Sequence, residues 1–204
     1  MTLPDGSRVD FARYLEEVKA RLEKNRDEAQ HHVDLGDVAV GRLDWERAAR
    51  LYELALEEWP DSSLVYVKLT RVKRLAIRDR DQAEREQIRV LQKGLRVRPR
   101  DPLLTIHMAD VLVRGGKFAT AAGYVEDALK GSGHPPRTAA TLHRTLGDIY
   151  VNMSGRDIRY MDLALKEYGF VLQIAPNDAK TIDKVRSIRS TLEMRRGELG
   201  ERKH

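Results

Sequence analysis

The chain has 204 residues, of which 34% are charged and 6% are aromatic, and it contains no cysteine. The lack of cysteine excludes disulfides and thiolate metal sites, and the high charged fraction favours exposed amphipathic helices over a β-sandwich. No apolar run has the length or the flanking residues of a signal peptide or a membrane span, so we expect a cytoplasmic protein.

The net charge of +5 is unevenly distributed along the chain. Residues 1–62 carry 9 basic and 15 acidic side chains, residues 63–100 carry 12 and 4, and residues 101–204 carry 16 and 13. The middle segment therefore makes the protein basic. A localised basic tract says more about a binding partner than the overall charge does.

The N-terminal segment, residues 1–28, has the pattern of a single amphipathic helix. After six residues that we expect to be frayed, Ser7 is a good N-cap residue. The apolar residues that follow recur at helical spacing: Phe11, Tyr14, Leu15, Val18 and Leu22. We expect a capping helix that ends at a short break around Asn25.

The next segment contains a spaced motif of small and large residues. Leu35 and Gly36 are followed by Ala48 twelve residues after the glycine, then by Tyr52 and finally by Pro60. This spacing resembles the tetratricopeptide repeat (TPR), a helix–turn–helix unit of about 34 residues. The small residues allow the two helices to cross closely, and Tyr52 fills the neighbouring space.

Three further segments repeat this motif, which places four repeats at residues 29–62, 63–101, 102–134 and 140–178. The second and fourth repeats exceed the regular spacing by five residues, through longer helices or a longer turn. In the second, Asp81 and Glu84 form a candidate capping pair. In the first, Leu43 stands where the family usually has glycine, and Gly41 is a candidate to take over that role.

The last segment, residues 179–204, carries a narrow apolar stripe of Ile182, Val185, Ile188 and Leu192. A final helix that is polar on its other faces closes the open end of a repeat stack, so we expect a C-terminal capping helix followed by a flexible tail from residue 197. The resemblance implies an all-α fold, a right-handed α-solenoid of ten helices in antiparallel pairs.

We find no pattern that indicates catalysis, a metal site or a cofactor. His31 and His32 are adjacent, so they point in different directions on a helix and cannot ligate one metal as an i, i+4 pair would. The Gly115-Gly116-Lys117 sequence lacks the earlier glycine of a phosphate-binding loop and fits the turn of the third repeat. We therefore predict a protein that is not an enzyme.

The resemblance implies a partner-binding groove lined by the variable positions of each first helix. These positions give a candidate site with an apolar strip beside several cations. Its residues are Leu64, Val67, Lys68, Arg71, Arg74, Leu103, Ile106, His107, Asp110, Arg114, Arg144 and Asp148. An acidic, amphipathic peptide or helix from another protein would suit this lining.

Two alternatives stay open. The leucines can simply pack on adjacent helices while the arginines are solvated or paired with the aspartates. The dense basic tract of residues 68–100 can instead bind RNA or DNA phosphates, although it has few aromatic residues for base stacking. The Lys–Asn pair with which chaperone-binding TPR proteins hold a terminal carboxylate is missing at the matching positions, which read Val33 and Asp37 in the first repeat.

Overall fold

The computed structural model describes residues 11–131, 133–155 and 157–201, and every regular element in these ranges is a helix. The elements are α1 Phe11–Gly41, α2 Trp45–Glu58, α3 Ser63–Ala76, α4 Arg80–Val97, α5 Pro102–Arg114, α6 Phe118–Leu129, α7 Pro136–Met153, α8 Arg159–Ile174 and α9 Ala179–Glu201. The all-α prediction is confirmed. None of these helices combines the length and the apolar character needed to cross a membrane.

The first and last helices are longer than the sequence pattern predicts. α1 runs without interruption for 31 residues, so the predicted break around Asn25 is wrong and the predicted capping helix is continuous with the first repeat. The segment around Asn25 contains no proline or glycine that would stop a helix. α9 likewise continues to Glu201, so the predicted tail is helical up to that residue. The expectations for Ser7 and for residues 202–204 lie outside the described ranges.

The described part of the chain divides into two compact units, and α1 to α4 form the first. Each helix packs against the next in chain order, and the core includes the fully buried rings of Tyr52 and Tyr66. Gly36 lies directly against Tyr52. A Cβ atom at position 36 would lie 2.5 Å from Tyr52 Cε1, which confirms that the close crossing requires a residue without a side chain.

The second unit, from residue 98 onward, contains α5 to α9. It repeats the same packing, because a Cβ atom at Gly147 would lie 2.7 Å from Tyr168 Cε1. The apolar stripe of α9 contributes to this core: Ile188 and Leu192 are buried in a cluster with Tyr168. The expected role of the last helix in covering the fourth repeat therefore has a physical basis in the burial of these two side chains.

The five additional residues of the second and fourth repeats mostly lengthen helices. α4 and α8, the second helices of these repeats, have 18 and 16 residues, whereas α2 and α6 have 14 and 12. In the second repeat only residues 77–79 separate the two helices. The cap of α4 lies two residues before the predicted Asp81, because Asp79 Oδ1 accepts a hydrogen bond of 2.6 Å from the backbone N–H of Gln82.

Candidate partner-binding surfaces

The predicted residues of the first unit form one exposed surface on α3, which we call the α3 surface. Leu64 is 57% exposed, Arg71 and Arg74 are exposed, and Val67 and Lys68 are half-buried. More than half of the Leu64 surface is therefore not covered by an adjacent helix. In this unit, therefore, the apolar part of the predicted lining is accessible to a partner.

Lys68 on this surface is already paired within the fold. Its Nζ donates to both carboxylate oxygens of Asp37, and the Tyr52 hydroxyl donates to Oδ1 of the same carboxylate at 2.6 Å. Burial opposes ionisation of Asp37, but the hydrogen bonds from Lys68 and Tyr52 outweigh it and lower its pKa. Burial, together with the bond to Asp37, raises the pKa of Tyr52, which stays protonated. The charge of Lys68 is therefore largely compensated by Asp37 and would attract a partner's carboxylate only weakly.

The second unit contains the same arrangement between α7, α8 and α9. The Tyr168 hydroxyl donates to Asp148 Oδ1, and Lys184 Nζ donates to the same oxygen. Lys184 is not among the residues predicted from the sequence. The available signal was its position eight residues after Pro176, which matches the spacing from Pro60 to Lys68. α9 thus begins in the way that the first helix of a repeat begins.

The predicted apolar residues of the second unit line a depression between α5 and α7, which we call the α5–α7 surface. Leu103 is 39% exposed and lies beside Ile106, and Arg137 and Thr141 form the opposite wall of a cavity of about 410 Å³. Arg137 was not predicted from the sequence, because it lies in the first turn of α7, before the positions that vary in the family. Arg137 is exposed, and none of the described residues forms a hydrogen bond or salt bridge with its guanidinium.

A neighbouring depression of about 700 Å³ shares Arg137 and Thr141 and extends along α7 to the start of α9. There the predicted cation Arg144 forms a salt bridge of 2.9 Å with Asp178. A hydrogen bond from Thr181 and the charge of Arg144 lower the pKa of Asp178. Partial desolvation acts in the opposite direction but is outweighed. Arg144 is consequently neutralised inside the fold.

The remaining predicted residues lie along α5. Arg114 pairs with Asp110 at 3.0 Å, one helical turn away. His107 is half-buried, and this burial lowers its pKa, although the charge of Asp110 acts in the opposite direction. His107 is therefore neutral near pH 7. The alternative of internal pairing thus holds for Lys68, Arg114 and Arg144. It does not hold for Arg71 and Arg74, to which the described ranges give no salt bridge.

No protein-family model matches the chain, and no curated protein matches it in sequence. Solved structures do match. The protein MamA is 17% identical with a TM-score of 0.61, over 87% of this chain and 89% of its own. PilF of Pseudomonas aeruginosa is 18% identical with a TM-score of 0.62, over 83% and 71%. The TPR protein YrrB is 18% identical with a TM-score of 0.53, over 86% and 83%. This chain has the TPR fold.

Within this TPR fold the repeats differ in one respect. The first and fourth contain the lysine–aspartate–tyrosine arrangement, whereas the second has Arg71 and Leu91 at the aspartate and tyrosine positions and the third has Val125 at the tyrosine position. In the second repeat, the position of the paired aspartate is thus occupied by the exposed cation Arg71. Across the part of the chain that the structure describes, no cluster of histidine and carboxylate side chains could hold a metal ion.

Proposed function

We propose that this TPR protein is a non-catalytic scaffold that binds an acidic, amphipathic segment of a partner protein. The observation that carries the proposal is the α5–α7 surface, where exposed Leu103 and half-buried Ile106 share one depression with Arg137, a cation that has no salt bridge to any described residue. An apolar side chain of the partner would bury its surface there, while a carboxylate would engage the guanidinium. YrrB, which shares the fold, is described as a TPR protein with an unusual peptide-binding site.

The α3 surface offers the same combination in the first unit. Leu64 supplies exposed apolar area, and Arg71 and Arg74 lie one helical turn apart beside it. An acidic amphipathic helix presents carboxylates and apolar side chains at the matching spacing of three and four residues. The described residues form no salt bridge with either arginine, so binding a ligand's carboxylate would break none of the ion pairs seen in the fold.

The proposal retains the division into four repeats, at residues 29–62, 63–101, 102–134 and 140–178, and takes α9 as the closing helix. It also retains a cytoplasmic location, which cell fractionation tests directly. Binding of nucleic acid by the basic tract is the competing function. It predicts that phosphate-rich ligands, rather than acidic peptides, are retained at low salt.

The test is affinity capture from lysate with and without nuclease, followed by binding measurements with the captured protein. The variants are Arg71→Glu/Arg74→Glu on the α3 surface and Arg137→Glu on the α5–α7 surface. The control is Arg47→Glu/Arg50→Glu, which reverses two exposed arginines at the same spacing on α2.

We expect the site variants to lose at least ten-fold in affinity for the captured partner and the control to keep it. Replacing the acidic residues of the partner segment by their amides should reproduce that loss. Equal affinities for all variants would refute the proposal. Release of the captured material by nuclease would favour the competing function.

A further inference from the structure

A cleft on the opposite face of α3 combines an apolar floor with cations. It lies in the first unit between α2, α3 and α4, has a volume of about 610 Å³, and has Leu56, Leu69 and Val90 in its lining. Its α3 residues lie roughly half a turn of the helix away from Leu64 and Arg71. The cleft is therefore distinct from the α3 surface. Its size and mixed lining are typical of a ligand site.

Tyr66 in this cleft has a buried hydroxyl without a hydrogen-bond partner among the described residues. Among the residues of described burial, two more tyrosines are fully buried, Tyr52 and Tyr168, and both donate to aspartates of their own unit. Buried polar groups are normally bonded, because leaving one unbonded costs free energy that burial of the ring must offset. A donor without an acceptor thus belongs to a residue that lines the cleft.

The charged side chains of the cleft leave an excess of available cations. Lys73 is held by Glu53 at 2.7 Å, and Arg89 lies 3.7 Å from Glu86. Lys93 and Arg96 on α4 are exposed, and the described ranges contain no salt bridge to either. Of the three glutamates that line the cleft, Glu57 is the one to which the described ranges give no salt bridge.

The charge of Arg96 also reaches the unpartnered hydroxyl. Burial raises the pKa of Tyr66, and Arg96 opposes that rise. The buried donor and Arg96 are therefore close enough to interact.

We propose that this cleft is a second binding site, which takes the carboxylate of a glutamate or aspartate from a partner peptide. Tyr66 donates its hydroxyl hydrogen to one carboxylate oxygen, Lys93 and Arg96 pair with its charge, and an apolar neighbour of the acidic residue covers the floor. Glu57 and Glu86 border the cleft and disfavour a polyphosphate strand, which carries charge at every step. The site stands independently of the α3 and α5–α7 surfaces.

The test uses the full chain and the probe N-acetyl-Leu-Glu-Leu-amide, with N-acetyl-Leu-Gln-Leu-amide as the uncharged control. Backbone amide chemical shifts of Leu69 and Val90 report binding at the cleft alone. We expect saturable shifts with the glutamate probe and affinity at least ten-fold weaker with the glutamine probe. Lys93→Gln/Arg96→Gln should abolish the shifts, while Arg71→Glu/Arg74→Glu, on the other face, should leave them unchanged.

Tyr66→Phe separates binding from folding. Because no described residue accepts a hydrogen bond from the hydroxyl, the variant should melt at the same or a higher temperature, yet bind the glutamate probe several-fold more weakly. Unchanged probe affinity in Tyr66→Phe, or equal affinity for the two probes, would overturn the proposal. So would stronger shifts of the same amides by a single-stranded oligonucleotide, which would assign the cleft to nucleic acid.

Discussion

The turn between α1 and α2 holds a leucine in a backbone conformation that favours glycine. Leu43 has φ of 60°, and Gly116 occupies the equivalent position of the third repeat with φ of 71°. In each turn this residue's N–H bonds the carbonyl three positions back, and the next N–H bonds the carbonyl five positions back, at 2.8–3.0 Å. The two turns thus share one helix-ending motif. Gly41 does not take over the glycine's role, because it ends α1 without a positive φ.

This equivalence predicts a stabilising substitution. The left-handed conformation costs an L-residue about 1–2 kcal/mol, and glycine loses about 0.5–1 kcal/mol more chain entropy on folding. Leu43 is 68% exposed, so its side chain contributes little packing. Leu43→Gly should therefore raise the free energy of unfolding by about 0.5–1 kcal/mol, which corresponds to a few degrees in melting temperature. Gly116→Leu should lower it by a similar amount, since open space surrounds Gly116.

Urea denaturation followed by circular dichroism measures both effects. The control is Leu54→Gly, the same chemical change at a leucine that is 42% exposed inside α2. That variant should lose about 1 kcal/mol, because glycine is unfavourable in a helix interior. Equal destabilisation by Leu43→Gly and Leu54→Gly would refute this prediction. The two variants are expected to change the free energy of unfolding in opposite directions only because of the backbone conformation of position 43.

Three further substitutions test the core and its charges. Tyr52→Phe removes the hydroxyl that donates to Asp37 and should cost about 1–2 kcal/mol in urea denaturation; an unchanged midpoint would contradict this. Ile188→Ala should cost about 2–4 kcal/mol because the side chain is buried against α8, whereas Ile174→Ala, at an exposed position, should cost much less. The folded pKa of His107 lies below its ordinary value of 6.5, so the unfolded chain binds the proton more readily and stability falls as the pH drops below that value. His107→Gln should reduce the loss of stability between about pH 7 and pH 5, and parallel slopes for the two proteins would refute this contribution.

The helix pairs and their close crossings could be predicted from sequence because both depend on local patterns. Apolar periodicity identified the helices, and the spacing of Gly36 and Tyr52 reflects a contact between neighbouring helices that only a missing side chain allows. The capping of α2 is equally local, because the side chain of Asp44 accepts a hydrogen bond from the N–H of Arg47. Size complementarity and capping are properties of a few adjacent residues.

Which charged side chains of the candidate surfaces are paired within the fold could not be predicted from such local patterns. Lys68 and Asp37 are 31 residues apart, and Lys184 and Asp148 are 36 apart, so their pairing depends on how successive helices stack. The polar stretch around Asn25 suggested a break, although polarity alone does not end a helix. Arg137 was missed because it lies in the first turn of α7, before residue 140, where the predicted fourth repeat begins.

The distinction between paired and unpaired cations decides which substitutions report on binding. Reversing Lys68 would place a second negative charge beside Asp37 and remove a bond that stabilises the fold, so a loss of partner affinity would be mixed with a loss of stability. Arg71, Arg74 and Arg137 have no such internal partner within the described ranges, and their reversal should change affinity alone. If those arginines provide the selectivity for an acidic partner, affinity should weaken as salt increases, and that dependence should become shallower in their variants but not in Arg47→Glu/Arg50→Glu. An equal salt dependence in all of them would place the electrostatic attraction elsewhere on the basic tract.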